Sequence, residues 1–191
     1  MTASFKSTAV MMRSLLLAAV FAAFAFAHAA HARDVSAAEK QALVAAINAF
    51  DAAMTGEDYE TVIDASITPA MMKFIADQNG ATVEQLRPAV VAQISALMGA
   101  IQVDAFSMDT SDIEYKQTDD GTPYAMIDTV TEMTSGSQKI KATGQTLGLR
   151  EDGKWYLVRV SEQQQANMLK AVYPRFNNVV FPAGKMETTD Q

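Results

Sequence analysis

Glu151-Asp152-Gly153-Lys154-Trp155-Tyr156-Leu157-Val158-Arg159-Val160 decides the fold class of this chain. Asp152-Gly153 is a two-residue hairpin signal, and Lys154–Val160 is rich in the aromatic and β-branched residues that suit a pleated surface. A hairpin needs a strand before its turn. Lys139–Arg150 supplies it, with Gly144 and Gly148 suggesting bulges or bends. Further back, Tyr124–Met133 alternates as a strand and stops at Ser135-Gly136-Ser137. Ile113 and Tyr115 lead into the turn Asp119-Asp120-Gly121-Thr122, and the period of two begins near Val103. Strands joined by such short turns pair with their sequence neighbours, which gives an antiparallel meander.

Before the meander the period is helical. Ser36 and Glu39 form a capping-box pattern, and Leu43, Ile47, Phe50 and Met54 follow at helical spacing, predicting a helix over Ala37–Met54. Asp58–Ala65 reads as a short helical turn burying Tyr59, Val62 and Ile63. Thr68-Pro69 starts another helix, with Met71, Met72, Phe74 and Ile75 on its apolar side and Asn79-Gly80 as its stop. Thr82 and Gln85 open a helix whose stripe is Leu86, Val90, Ile94, Leu97 and Ile101. Pro88 is expected to kink it or mark a second segment, and this helix is expected to lie across the sheet. After the meander, Ser161 with Gln164 is read as the cap of a last helix carrying Met168, Leu169, Val172 and Tyr173. The sequence thus predicts an α+β fold: N-terminal helices packed on a curved antiparallel meander, with an extra C-terminal helix.

The N-terminus reads as an address. Arg13 precedes the apolar run Leu15–Ala27, which is shorter than the roughly 20 residues a membrane-spanning helix needs. Small-residue sites follow in Ala27-His28-Ala29-Ala30-His31-Ala32, the layout of a secretory signal peptide. Cuts after Ala27, Ala29 or Ala32 fit, and Ala32 is favoured because Arg33-Asp34 begins the charged composition. The expected organisation is a cleaved signal over 1–32, one α+β domain over 33–182 and a flexible tail over 183–191. The expected location is the periplasm or the extracellular medium, with no membrane anchor after cleavage.

Removal of the leader has chemical consequences. It takes away Lys6 and Arg13 and no acid, making the formal net charge of −7 two units more negative. Such a surface disfavours nucleic acid and anionic membrane as partners. The chain has no cysteine and two histidines, His28 and His31, both in the leader. The mature domain would therefore have no Ser-His-Asp or Cys-His machine, no thiol redox chemistry and no ordinary His/Cys zinc site. No cofactor and no metal site is expected. The methionines of the mature chain, Met54, Met71, Met72, Met98, Met108, Met126, Met133, Met168 and Met186, suggest a deformable core or an adaptable apolar groove.

Helices followed by a meander that closes on Asp152-Gly153-Lys154-Trp155 and a strong last strand resemble the NTF2-like (cystatin-like) α+β superfamily over Val35–Val160. The sequence departs from that pattern in two ways: no short hairpin appears between early helices near Ala65–Pro69, and the helix after Ser161 is added. The resemblance implies a cone in which a strongly curved sheet wraps helices and encloses a pocket. It does not imply one function, because the superfamily includes isomerases, dehydratases, carriers and interaction modules.

The candidate site residues follow from that cone. Asp128 shares a strand face with Tyr124, Met126 and Val130. If this face lines the pocket, Asp128 is a desolvated general base with a tyrosine as proton donor, as in an isomerase or lyase. If it faces solvent or pairs across the ladder with Lys139, Lys141, Arg150 or Arg159, that chemistry is absent. Tyr115, Tyr124 and Met126 are candidate ligand contacts, Trp155 a pocket wall, and Arg150 and Arg159 holders of an anionic group. The leading expectation is a non-enzymatic exported domain that binds an apolar small molecule, a lipid or a partner protein. The alternatives are the Asp128 isomerase or lyase and a structural interaction module of the cell envelope.

Overall fold

The computed structural model describes residues 34–190. The leader read over 1–32 and its cut after Ala32 lie outside the described residues. Four helices come first: α1 (Ala37–Thr55), α2 (Tyr59–Ser66), α3 (Pro69–Gln78) and α4 (Val83–Gly99). Their starts follow the local chemistry read from the sequence. Ser36 and Glu39 close a reciprocal capping box on α1, and Thr82 and Gln85 close another on α4. Thr68 caps α3 by accepting from Met71 N at 3.1 Å, with Pro69 at the first helical position.

The sheet is antiparallel throughout and curls into a half-barrel. Its spine is one long hairpin, β3 (Pro123–Ser135) with β4 (Gln138–Glu151). Two short strands in line flank each side of it. β1 (Gln102–Met108) and β2 (Glu114–Gln117) both pair with β3, while β5 (Lys154–Arg159) and β6 (Lys185–Asp190) both pair with β4. Asp152 and Gly153 have φ of 49° and 82°, so the β4–β5 connection has the two positive φ values of the hairpin turn that matches strand twist.

Period two gives the sheet two faces, and helices cover both. On the first, Ala125, Ile127, Trp155 and Leu157 pack against Leu43, Ile47, Phe50 and Ala53 of α1 and Val62 of α2. Gly148 makes this close approach possible. A Cβ there would lie 3.1 Å from Ala125 Cβ and 3.3 Å from Leu43 Cδ1. On the second face, Tyr124, Met126, Leu147, Leu149, Tyr156 and Val158 pack with Met71, Leu169, Tyr173 and Phe176. Leu169 and Tyr173 belong to α5 (Gln163–Val172) and its end, and Phe176 to the short 3-10 turn Pro174–Phe176.

A buried polar relay ties the second layer together. Tyr173 donates its hydroxyl to the Glu151 carboxylate, which leaves the Thr68 hydroxyl as donor to Tyr173. The other Glu151 oxygen accepts from Ala70 N at 3.1 Å. One side chain from α5's end thus joins the start of α3 to the end of β4. Burial, and next the bond to Glu151, push the Tyr173 phenol well above its ordinary pKa.

Several expectations need correction. α4 does not lie across the sheet; it packs beside α2, α3 and β1, and none of its residues is buried. Arg87 holds it there through Glu60 and Asp64, each at 2.8 Å. The helix also runs unbroken through Pro88, whose missing bond belongs to the carbonyl of exposed Glu84. The β3–β4 ladder keeps its register through Gly144 and Gly148, and the irregularity of the sheet lies between Val103 and Ala105 instead. α5 begins one residue later than expected. Its cap is Glu162, whose N–H donates to Gln165 at 3.2 Å, while Ser161 is buried against Gly184 N. The expected tail over 183–191 contains β6: β5 ends opposite Thr146, so the edge of β4 from Gln138 to Thr143 needs a backbone partner, which β6 provides.

Candidate functional site

The sheet is longer than the helix layer that covers its first face. Beyond Ile127 that face continues as Thr129, Thr131 and Met133 on β3 and as Thr146, Gly144 and Ala142 on β4, without a helix seated directly on it. The curl of the hairpin, the α1 residues Phe50 and Met54, and the α4 residues Ile94 and Met98 close around this stretch. They line a partly open cavity of about 310 Å³, at the lower end of the roughly 300–1,000 Å³ typical of ligand sites.

The wall is apolar with a few hydroxyls already bonded inside it. Thr129 and Thr146 hydrogen-bond to each other at 2.8 Å, and Ser66 donates to Val62 O at 2.7 Å. Phe50 meets Phe106 of β1 at a ring separation of 5.5 Å and braces the β1 side. Four methionines, Met54, Met98, Met108 and Met133, contribute to the lining. Their thioethers adapt to shape more readily than branched residues do. No Asp, Glu, Lys or Tyr side chain lines this cavity, so the wall can exclude water and fit an apolar body but has no proton-transfer group. At the β1 edge the cavity runs into an open cleft of about 760 Å³, which shares Met54, Met98, Ile101, Val103 and Phe106 with it and adds Glu57, Tyr59 and Asp104.

Of the seven residues singled out from the sequence, the structure brings one to this cavity, Arg159. It lies on β5 opposite Thr146 and is the single charged residue of the wall. Asp128 sits on the other face, solvent-exposed, accepting from Gln145 Nε2 at 2.9 Å. The desolvated-base arrangement therefore does not form. Tyr124 and Met126 are buried on the same side as Asp128, where Tyr124 packs edge-on against Phe176 at 5.4 Å. Tyr115 is half-buried, with the Lys40 ammonium 4.6 Å from its ring centroid, and burial raises its pKa.

Arg150 and Trp155 serve the fold. Arg150 is bound to the Glu39 carboxylate and donates to Gly153 O at 3.2 Å. Trp155 Nε1 donates to Glu39 O at 3.0 Å, with the Arg150 guanidinium 5.7 Å from its ring. Together they fasten the first turn of α1 to the β4–β5 hairpin. The sequence reading missed Thr129, Thr131, Phe106, Ile94 and Met98 as wall residues. The available signal was the opposite phase of β3, in which Ile127, Thr129, Thr131 and Met133 share a face.

Among the described residues, no group of three or more His, Cys, Asp or Glu is placed to hold a metal ion, and no helix is long and apolar enough to cross a membrane. No family model, curated protein or solved structure matches the chain.

Proposed function

We propose that this protein is an exported, non-enzymatic domain that binds an apolar small molecule or lipid in the cavity between the curled sheet and helices α1 and α4. The observation that carries the proposal is the cavity itself. A partly open apolar volume, with the Ser66, Thr129 and Thr146 hydroxyls bonded within the wall and no charged residue but Arg159, suits holding a greasy body rather than transforming it. We read the architecture as an NTF2-like cone. The meander, the Asp152-Gly153-Lys154-Trp155 hairpin and the cavity on the helix-lined face support that reading. Export rests on the signal-peptide layout over 1–32, and places the carrier in the periplasm or outside the cell.

Native mass spectrometry of the protein purified from the cell envelope fraction tests this function. A bound non-protein mass is expected. It should be lost in Met98→Trp, which fills the cavity from the α4 side, where the residue is half-buried. Circular dichroism of the variant checks that the fold is kept. Absence of any bound mass, together with no saturable uptake of an apolar probe such as dodecan-1-ol, would refute the proposal.

A further inference from the structure

The described residues include four arginines, and three are engaged. Arg87 pairs with Glu60 and Asp64, Arg150 pairs with Glu39, and Arg175 lies 4.8 Å over the Tyr173 ring. Arg159 has no hydrogen bond, ion pair or ring contact among the described residues. In a chain with 22 acids against 15 lysines and arginines, partners for an arginine are plentiful. Arg159 is also the one exposed residue of the cavity wall, so it stands where the apolar interior meets solvent.

A second donor lies beside it. Ser161 is two residues further along the chain, just past the end of β5, and lines the same cavity as Arg159. It is buried, and its hydroxyl has no hydrogen-bond partner among the described residues. The Ser66, Thr129 and Thr146 hydroxyls, by contrast, are bonded within the protein.

We propose that Arg159, with the Ser161 hydroxyl, holds the anionic head of a single-chain amphiphile whose hydrocarbon tail fills the cavity, and that the physiological ligand is a free carboxylic acid with one apolar chain. This rests on the carrier reading above and specifies its ligand. The guanidinium fork matches a carboxylate through two parallel N–H···O bonds, and the hydroxyl adds a third donor. The volume of about 310 Å³ suits one chain rather than the paired chains of a phospholipid.

Calorimetric titration below the micellar concentration tests it, with dodecanoate, dodecan-1-ol and dodecyltrimethylammonium as probes. The native protein should bind dodecanoate about tenfold or more tighter than the alcohol, the usual scale of a hydrogen bond to a charged group. Arg159→Gln should bring dodecanoate to the level of the alcohol, and circular dichroism of the variant checks that the fold is kept. Equal binding of acid and alcohol, or equally tight binding of the cationic probe, would overturn the anion assignment and leave the cavity reading standing. A preference for dodecanoate that survives Arg159→Gln would overturn the role of Arg159. If none of the three probes binds, the carrier reading falls as well.

Discussion

Replacing Tyr173 by phenylalanine tests whether the relay Thr68–Tyr173–Glu151 holds the second helical layer to the sheet. The substitution keeps the ring against Phe176, 6.4 Å away, and removes a single oxygen. Two bonds are lost. Glu151 retains Ala70 N at 3.1 Å, so its carboxylate keeps a donor. The Thr68 hydroxyl is worse off: its residue is fully buried, and although its oxygen still accepts from Met71 N, its proton has no remaining acceptor. A stranded buried donor costs about 1–3 kcal/mol. We expect a loss of about 2 kcal/mol, which for a domain of this size lowers Tm by about 4–8 °C. Urea denaturation followed by circular dichroism should show a lower midpoint with an unchanged slope.

The same variant has a pH signature. The raised folded-state pKa of Tyr173 means that the native protein keeps its proton after the unfolded chain has lost it. This stabilisation is complete below the ordinary tyrosine value of about 10 and falls as pH rises above it, by about 1.4 kcal/mol per pH unit for one proton. Tyr115, Tyr124 and Tyr156, also raised by burial, add to the alkaline slope of the native protein. Tyr173→Phe should remove one proton's share of it. A loss under about 0.5 kcal/mol with an unaltered alkaline slope would show that the relay contributes nothing, since neutral surface substitutions fall in that range.

Other substitutions separate structural from functional residues. Gly148→Ala brings a Cβ within 3.1 Å of Ala125 and 3.3 Å of Leu43; overpacking should cost about 1–3 kcal/mol in a denaturant midpoint. Glu39→Gln removes the charge that Arg150 meets at the start of α1, where Ser36 N also donates to the carboxylate at 2.8 Å. A loss of about 1–3 kcal/mol is expected by thermal melting, the partial exposure of Arg150 keeping it below the cost of a fully buried pair. Asp128→Asn should leave stability within about 0.5 kcal/mol and leave dodecanoate affinity unchanged, because the side chain is exposed on the face away from the cavity. A marked loss of ligand binding in that variant would return Asp128 to the site.

The helix starts and the meander were legible because they rest on local chemistry. Ser36 with Glu39, Thr68-Pro69, Thr82 with Gln85 and Asp152-Gly153 each act within a few residues, and each appears in the structure as read. The position of α4 was not legible. Its stripe from Leu86 to Ile101 specifies an apolar face but not which neighbour receives it, and the sheet position expected for it is taken by α1. The strand at Lys185–Asp190 was hidden for a related reason. It needs no core residue, since what recruits it is an unpaired backbone edge that exists only once β5 has ended early.

The site shows the same division. The sequence by itself determined that β3 has two faces, that methionine is plentiful and that Arg150 and Arg159 lie on adjoining strands. Only the tertiary structure decided which face of β3 looks into the cavity and which arginine is spent. Periodicity fixes alternation but not its sign, so the phase carrying Asp128 and the phase carrying Thr129 and Thr131 were equally compatible with the sequence. The packing of Leu43 into the space above Gly148 chose between them. The salt bridge to Glu39, formed across a sequence separation of 111 residues, removed Arg150 from the site and left Arg159 at its mouth.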